Sequence, residues 1–430
     1  ASETVDGGDG GGSDGGEGGG GGAGGGVAAA LDAEAQWLDA YRLPSSTELD
    51  RTSAELVGHV VALEQRLMMH GVLKGVAVDE VNPTLSASTC VDDALFVMRR
   101  SCDRALATGH VDCVCTVVNN VTAVMEGALR DALGARLEKA AQAPSSAAKA
   151  AKDVLSRVTG RKESDAQGPT VLSLHVVVNS LQLAADYCSQ LRDHLWREGG
   201  DVFPDDRSRQ RVRSCLDEME QAALRVRHAL QSGIALVLAS VQQQMQSVLE
   251  RAFAPPPTAA GGTPSRAGAG RAVTLRYVLT PDEFAANEAR DPFVRAVVVE
   301  LDKQLKPWQQ ALRPEAFALL AGQVLALVSR LMLQQLRHTQ VNQLGALQLD
   351  KDIRVLATYF QPKTNANVRE VLAPVMQWST VVNCDSPADV LDYWGSPVGG
   401  MQWKLSSKEV TAAMRTRVDW EERDVRGVRL

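Results

Sequence analysis

Residues able to do chemistry are few, and they group in short stretches. In LGALQLDKDIRVLATYF, Leu344–Phe360, Asp350, Lys351 and Asp352 set an acid, a base and an acid in a row beside a glycine, a grouping that can relay protons. Cys113 and Cys115, in HVDCVCTVV, offer two close thiols, as metal ligands or as a redox pair. His59, His70, His110, His175, His194, His228 and His338 supply imidazoles. The glycine-rich opening matches GxGxxG, and GGDGGGSDGG is reminiscent of a calcium repeat.

Each grouping has a structural reading, and the elements that must position the residues favour it. In a helix over 350–360, Leu349, Ile353, Leu356 and Phe360 form one apolar stripe. Asp350 is then the N-cap, Asp352 an acid in the first turn and Lys351 a residue facing water. Gly345 falls where the preceding helix must end, a place for positive φ. On a helix, Cys113 and Cys115 diverge by about 200° and flank the Val114 stripe, so the pair reads as small apolar residues rather than ligands. The histidines occur singly, without an acid or nucleophile at usable spacing. No strand precedes the glycine tract, whose density makes a loop match expected by chance. The chain contains no GK dipeptide, HExxH or C-x-x-C. Asn120–Val121–Thr122 fits a glycosylation sequon but lies mid-helix. These readings predict a protein that is not an enzyme, with no catalytic, cofactor-binding or metal residues.

Composition supports helices. The 430 residues are 45% hydrophobic and 4% aromatic, and Ala, Leu, Val, Gln, Glu and Arg dominate outside the glycine-rich tracts, a helical vocabulary. Val114, Val118, Val121, Met125, Leu129 and Ala132 recur at steps of three and four, which predicts one amphipathic helix over 112–138. Further helices are predicted at 51–70, 91–107, 170–197, 208–252, 281–305, 313–341, 350–360, 367–382, 386–393, 406–417 and 419–426. Start signals are explicit: Thr280 with Pro281 and Glu283, Ser386 with Asp389, Ser406 with Glu409, and Asp419 with Glu422. The fold class is therefore all-α, and helices of this length are usual in bundles and rods.

Residues 1–26 hold 15 of the 36 glycines, too little apolar surface to offset chain entropy. The domains expected are a disordered segment 1–30, a long-helix bundle region 31–344 with a loop at about 254–271, and a small helical bundle 345–430. Ala1 in place of Met, followed by the glycine tract, points to a piece of a longer chain. The net charge of -7 is spread along the chain, which argues against nucleic-acid binding. Seven cysteines, irregularly spaced among apolar residues, read as reduced thiols of the cytosol. Ala316–Ser329 is too short to span a membrane and His228–Leu249 carries five glutamines, so any membrane association is expected to be peripheral.

Several segments carry a resemblance. VDDALFVMRRSCDRALATGHVDCVCTVVNNV, LGALQLDKDIRVLATYF, VLDYWGSPVGGMQWKLSSKEV and VDWEERDVRGVRL resemble, in that order, the C-terminal half of the subunit 4 family of the conserved oligomeric Golgi complex. The resemblance runs from about Thr47 to Leu430 and weakens at Ala141–Gly168 and Ala254–Arg271. It implies consecutive helical bundles forming a rod of the multisubunit tethering type. It also implies a non-catalytic role in retrograde intra-Golgi transport and Golgi organisation, on the cytoplasmic face of Golgi membranes. The partners implied are the other subunits of the complex, with SNAREs and their regulators engaged through an N-terminal region outside these residues. It places Ala254–Arg271 as a loop within the long-helix bundle.

One departure stands out. The family pattern pairs an arginine in the helix before DYWG with a glutamate in the following capping box. Here the glutamate is Glu409, but Pro374 occupies the arginine position. That ion pair cannot form, and Pro374 removes a hydrogen bond inside a helix, which predicts a kink or break. Tyr393, Trp394 and Trp403 are expected to glue helix ends together rather than to bind a partner. The alternatives are another helical-rod tether such as the exocyst, a helical enzyme with its site between bundles, and a direct membrane binder.

Overall fold

The structure, a computed structural model, describes residues 47–142, 174–253, 277–290, 292–394 and 402–430. The glycine-rich segment 1–30 and the loop at 254–271 lie outside the described residues. The fold is all-α. In chain order the helices are α1 (Glu48–Ala77), α2 (Thr89–Ala107), α3 (Val111–Val124), α4 (Arg130–Gln142), α5 (Leu174–Val202), α6 (Asp206–Phe253) and α7 (Pro281–Arg290). They continue with α8 (Pro292–Ala311), α9 (Pro314–Leu336), α10 (Gln343–Phe360), α11 (Val368–Val382), α12 (Val390–Tyr393), α13 (Ser407–Thr416) and α14 (Glu422–Gly427). The described strands are a two-residue antiparallel pair, Val81–Asn82 with Ala87–Ser88.

By contact the chain forms two compact units, residues 1–60 and 61–430. In the first, Thr47 opens α1 as a reciprocal cap: its backbone N–H donates to the Asp50 carboxylate at 2.7 Å, and the Asp50 N–H donates to its hydroxyl at 3.1 Å. In the second, helices pack around a core that includes Met68, Met98, Leu129, Leu181, Met219, Ile234, Phe360 and Trp378.

The stripe predicted over 112–138 is correct for its first two-thirds. Val114, Val118, Val121, Met125 and Leu129 are buried, but Leu133 and Leu137 then take the core face instead of Ala132. A π-helical turn at Met125–Leu129, between α3 and α4, accounts for the shift, because one extra residue per turn rotates the following stripe. Two other expectations change. The helix expected at 281–305 is two helices, α7 and α8. The apolar stretch around Ala316–Ser329 belongs to a 23-residue helix, α9, long and apolar enough by length and composition to cross a membrane. Its residues Phe317, Leu320, Val324, Val328 and Met332 are nonetheless buried in the core.

Polar side chains join helix ends in this unit. Asp79 accepts from Ser88 Oγ (2.6 Å), from the Cys90 backbone N–H (2.8 Å) and from Arg136 Nη1 (2.6 Å), so one nearly buried carboxylate caps α2 and holds α4. Asn179, buried on α5, donates to the carbonyls of Ser86 (3.1 Å) and Ala311 (2.9 Å) and accepts from the Arg313 N–H at 2.9 Å. It thereby fixes the turn between α8 and α9.

Candidate functional site

The acid–base–acid triplet sits beside a junction rich in hydrogen bonds. The preceding helix, α9, ends at Leu336, and α10 begins at Gln343 with Asn342 as its N-cap. Asn342 Oδ1 accepts from the N–H of Gly345 at 2.9 Å and from that of Leu279 at 3.0 Å, while Nδ2 donates to the Leu279 carbonyl at 2.8 Å. One side chain therefore caps α10 and clasps the segment that enters α7. The backbone continues the clasp. Asn342 N–H donates to the Tyr277 carbonyl (2.9 Å), Val341 N–H to that of Thr416 (2.9 Å), and Val418 N–H to that of Val341 (3.0 Å). Val341 thus forms parallel bridges with Tyr277 on one side and Arg417 on the other.

Gly345 is in the first turn of α10, not at the end of the helix before it. Its role is space. A Cβ built there would lie 1.5 Å from the Tyr277 carbonyl oxygen and 2.3 Å from its carbon, so only glycine lets that backbone cross the helix so closely.

The triplet itself is pulled apart by the helix. Asp350 is inside α10 rather than at its cap, and its carboxylate pairs with Arg354 one turn on at 2.7 Å. Lys351 Nζ donates to the Glu288 carbonyl at 3.2 Å. Asp352, expected in the first turn, is fully buried. It accepts from the Tyr277 hydroxyl at 3.0 Å and from Gln348 Nε2 at 2.8 Å. Burial first, and the Asp352 carboxylate second, push the Tyr277 hydroxyl well above its ordinary value near 10, so it remains a donor. Successive residues on a helix point about 100° apart, and the three groups do not converge on one reacting atom.

At the C-terminal end, α11 runs helical from Val368 to Val382 through Pro374, so of the kink or break expected there the break does not occur. The proline leaves the Glu370 carbonyl without its i+4 donor. One turn of the helix is supported from outside, as Ser329 Oγ on α9 donates to the Val371 carbonyl at 2.9 Å. Glu409 completes a reciprocal capping box with Ser406, as predicted, and its ion pair is made with Arg337 at the end of α9, at 2.6 Å. The Ser406 N–H chiefly, and the Arg337 guanidinium in addition, hold the Glu409 carboxyl below its ordinary range. Gln377, buried on α11, accepts from the N–H groups of Lys404 (2.8 Å) and Leu405 (3.2 Å) and donates to the Gln402 carbonyl (3.0 Å).

Trp394 and Trp403 meet edge to face at 5.4 Å between ring centroids, consistent with joining helix ends, whereas Tyr393 is 43% exposed. Two start signals are corrected. The Ser386–Asp389 turn precedes a helix of only Val390–Tyr393. Asp419 does not cap α14, whose N-cap is Glu421; it accepts from the Gln343 N–H at 2.8 Å and adds to the junction.

The other sequence candidates are dispersed. Cys113 and Cys115 are both buried on α3. His194 Nε2 lies 3.0 Å from Asp103, an acid partner that linear spacing concealed because 91 residues separate the two. A cleft of about 390 Å³ between α2 and α5 is lined by Asp92, Phe96, Arg99, Tyr187, Leu191 and His194 among others. Among the described residues no group of three or more His, Cys, Asp or Glu is placed to hold a metal ion. Tyr277, Asp79, Asn179 and Gln377 had no sequence signal of their own. An asparagine just ahead of an apolar period at Gln343 was the single available hint, through its capping preference.

Helices packed around an apolar core, with polar side chains joining several of their ends, define an all-α helical-bundle protein. Its backbone is similar to the crystal structure of the C-terminal domain of the exocyst subunit Sec6p, with a TM-score of 0.51 and 10% identity, covering 90% of each chain. That likeness shows the fold. The profile described as conserved oligomeric Golgi complex subunit 4, C-terminal, matches residues 174–412, more than half of the chain. The profile of the COG4 transport protein middle alpha-helical bundle matches residues 28–137. The chain belongs to the family of conserved oligomeric Golgi complex subunit 4. Relatives of that name from Mus musculus and Arabidopsis thaliana are 25% and 24% identical over 404 and 402 residues, covering 90% and 91% of this chain. The chain spans about half the length of the curated relatives it matches, 49% and 50% in these two cases.

Proposed function

We propose that these residues act as a non-catalytic scaffold within a Golgi tethering complex that captures vesicles in retrograde intra-Golgi transport. The observation that supports this best is the ordered family match along 90% of the chain, carried by an all-α fold of packed helices. In this reading the partners are the other subunits of the complex. SNAREs and SNARE regulators bind through a region outside these residues, and attachment to the cytoplasmic face of Golgi membranes is peripheral, by way of those partners. The chain works in two parts, a long-helix bundle region over 31–344 and a small bundle over 345–430, with the Val341–Gly345 junction fastening them.

The test is affinity purification with the 430-residue chain as bait. Recovery of Golgi-complex subunits is the expected result. Recovery of plasma-membrane tether subunits instead would favour the exocyst-type alternative, to which the likeness of fold to Sec6p gives some support.

A further inference from the structure

The scaffold reading leaves one recess without a role. Two side-chain contacts tie α2 to α5. The Ser88 N–H, at the N-cap of α2, donates to Ser180 Oγ at 2.8 Å. Further along, His194 Nε2 lies 3.0 Å from Asp103 Oδ1. Ser88 precedes Asp103 as Ser180 precedes His194, so the two helices run in the same direction. Between the ties lies the cleft of about 390 Å³. Leu95 and Leu191, 6% and 4% exposed, give it an apolar floor. Phe96 also lines it, yet is 63% exposed, more than any other aromatic side chain among the described residues.

The two ends of the cleft differ in charge. Asp92 and Arg99 both line it and are two turns apart, roughly 10 Å along α2. Asp92 and Tyr187 mark the end nearer the helix N-termini, Arg99 and His194 the other. His194 already has Asp103 as its acid. Arg99 is exposed and makes no ion pair or hydrogen bond with a described residue. Arg100 beside it lies over the Phe96 ring, 5.9 Å from the centroid, and likewise makes no ion pair among the described residues.

We propose that this cleft is a docking site for an acidic peptide segment of a partner protein, which seats a bulky apolar side chain over Leu95 and Leu191 and sets its carboxylates against Arg99 and Arg100. The proposal rests on the scaffold reading only in taking the partner to be a protein. Charge complementarity selects the occupant: two exposed guanidiniums without acids of their own offer paired donors to carboxylates. Arginine and aromatic side chains are also what protein interfaces concentrate, and the volume falls within the range of about 300–1,000 Å³ usual for ligand clefts. An anionic bilayer fits less well. Interfacial helices turn their bulky apolar side chains outward, whereas this floor is recessed between two helices, and the acids Asp92 and Asp93 border the same stretch of α2.

The test is fluorescence anisotropy of the 430-residue chain with two short labelled peptides, one carrying a Leu-Phe pair followed by a run of glutamates, the other with lysines in place of the glutamates. The acidic peptide should bind saturably and more weakly as salt rises, and the lysine peptide should not bind. Arg99→Glu should weaken the acidic peptide by about tenfold or more, as one lost charge-assisted contact implies. Gln190→Trp, at an exposed position lining the cleft, should block it by filling the recess. Arg66→Glu, an exposed arginine on α1, should leave binding unchanged. Circular dichroism and thermal melting confirm that each variant is folded, and Arg99→Gln stands in if the glutamate variant is not. The proposal is overturned if the acidic peptide does not saturate, if the lysine peptide binds equally well, or if Gln190→Trp binds as the parent does. Flotation with phosphatidylserine vesicles that is lost in Arg99→Glu, without peptide binding, would overturn it in favour of a membrane contact. Peptide binding is read on the purified chain, so its failure is separate from a failure to recover Golgi-complex subunits with the bait.

Discussion

Gly345→Ala is the sharpest perturbation of the junction, because two arguments predict opposite signs for it. On helix propensity alone, alanine for glycine within a helix gains roughly 0.5–1 kcal/mol. Here the added Cβ would lie 1.5 Å from the Tyr277 carbonyl oxygen and 2.7 Å from its Cα, and no rotamer change relieves a contact between backbones. The Tyr277 segment must withdraw by more than 1.5 Å to reach ordinary contact. That displacement strains three linked bonds: Asn342 N–H to Tyr277, the Asn342 clasp on Leu279, and Tyr277 to buried Asp352. Overpacking costs about 1–3 kcal/mol, and weakening a buried bond to a carboxylate adds roughly 1.5–3 kcal/mol. With the propensity gain subtracted, the net expectation is about 1.5–5.5 kcal/mol of destabilisation, readable as a lower urea midpoint of the 430-residue chain. Gly134→Ala is the control, since a Cβ there meets nothing within 4 Å, and it should be neutral or stabilising by up to about 1 kcal/mol. A Gly345→Ala protein as stable as the parent would refute the close crossing and the clasp that depends on it.

Other perturbations address single contacts. Gln377→Leu leaves the Lys404 and Leu405 N–H groups and the Gln402 carbonyl without their partner. It should cost about 2–4 kcal/mol and raise hydrogen exchange at those two amides; unchanged protection would contradict the latch. Glu409→Gln should remove about 1 kcal/mol at neutral pH. Because folding depresses the Glu409 carboxyl below 4.5, its contribution is present above the unfolded value and disappears as pH falls through the folded one. Melting curves of parent and variant should therefore converge on acidification from pH 6, and a constant gap would count against the assignment. Pro374→Ala restores a donor for the Glu370 carbonyl and should stabilise by about 1–2 kcal/mol. This is less than the roughly 3 kcal/mol an interior proline costs, since the freer unfolded chain offsets part of the gain. A lower melting temperature would mean that the proline ring packs favourably.

How much was legible varies with the physical range of each interaction. The helices with strong periods were located from the chain to within a few residues, and the capping boxes at Thr280 and Ser406 form as expected, with Glu283 Oε2 2.9 Å from the Thr280 nitrogen. These are contacts between residues three or four apart. Local signals misled where a tertiary partner overrode them. Gly345 was read as a helix stop because glycine commonly ends helices, whereas a backbone 68 residues away in sequence demanded the missing side chain. Asp350 was read as a cap, and Asn342 performs that task because its amide also reaches Leu279. Pro374 sits in an unbroken helix, with Ser329 bonding the neighbouring Val371 carbonyl.

The sequence by itself determined the helical class, the absence of a convergent acid–base reading for Asp350–Asp352, and the segments that carry the family resemblance. Periodicity and capping act within one or two turns and are written in consecutive residues. Tertiary structure alone decided that Asp352 faces the core toward Tyr277 and that Glu409 takes Arg337 as its partner. Each of these joins residues brought together only by packing, and the chemistry of a side chain follows from its neighbours in space.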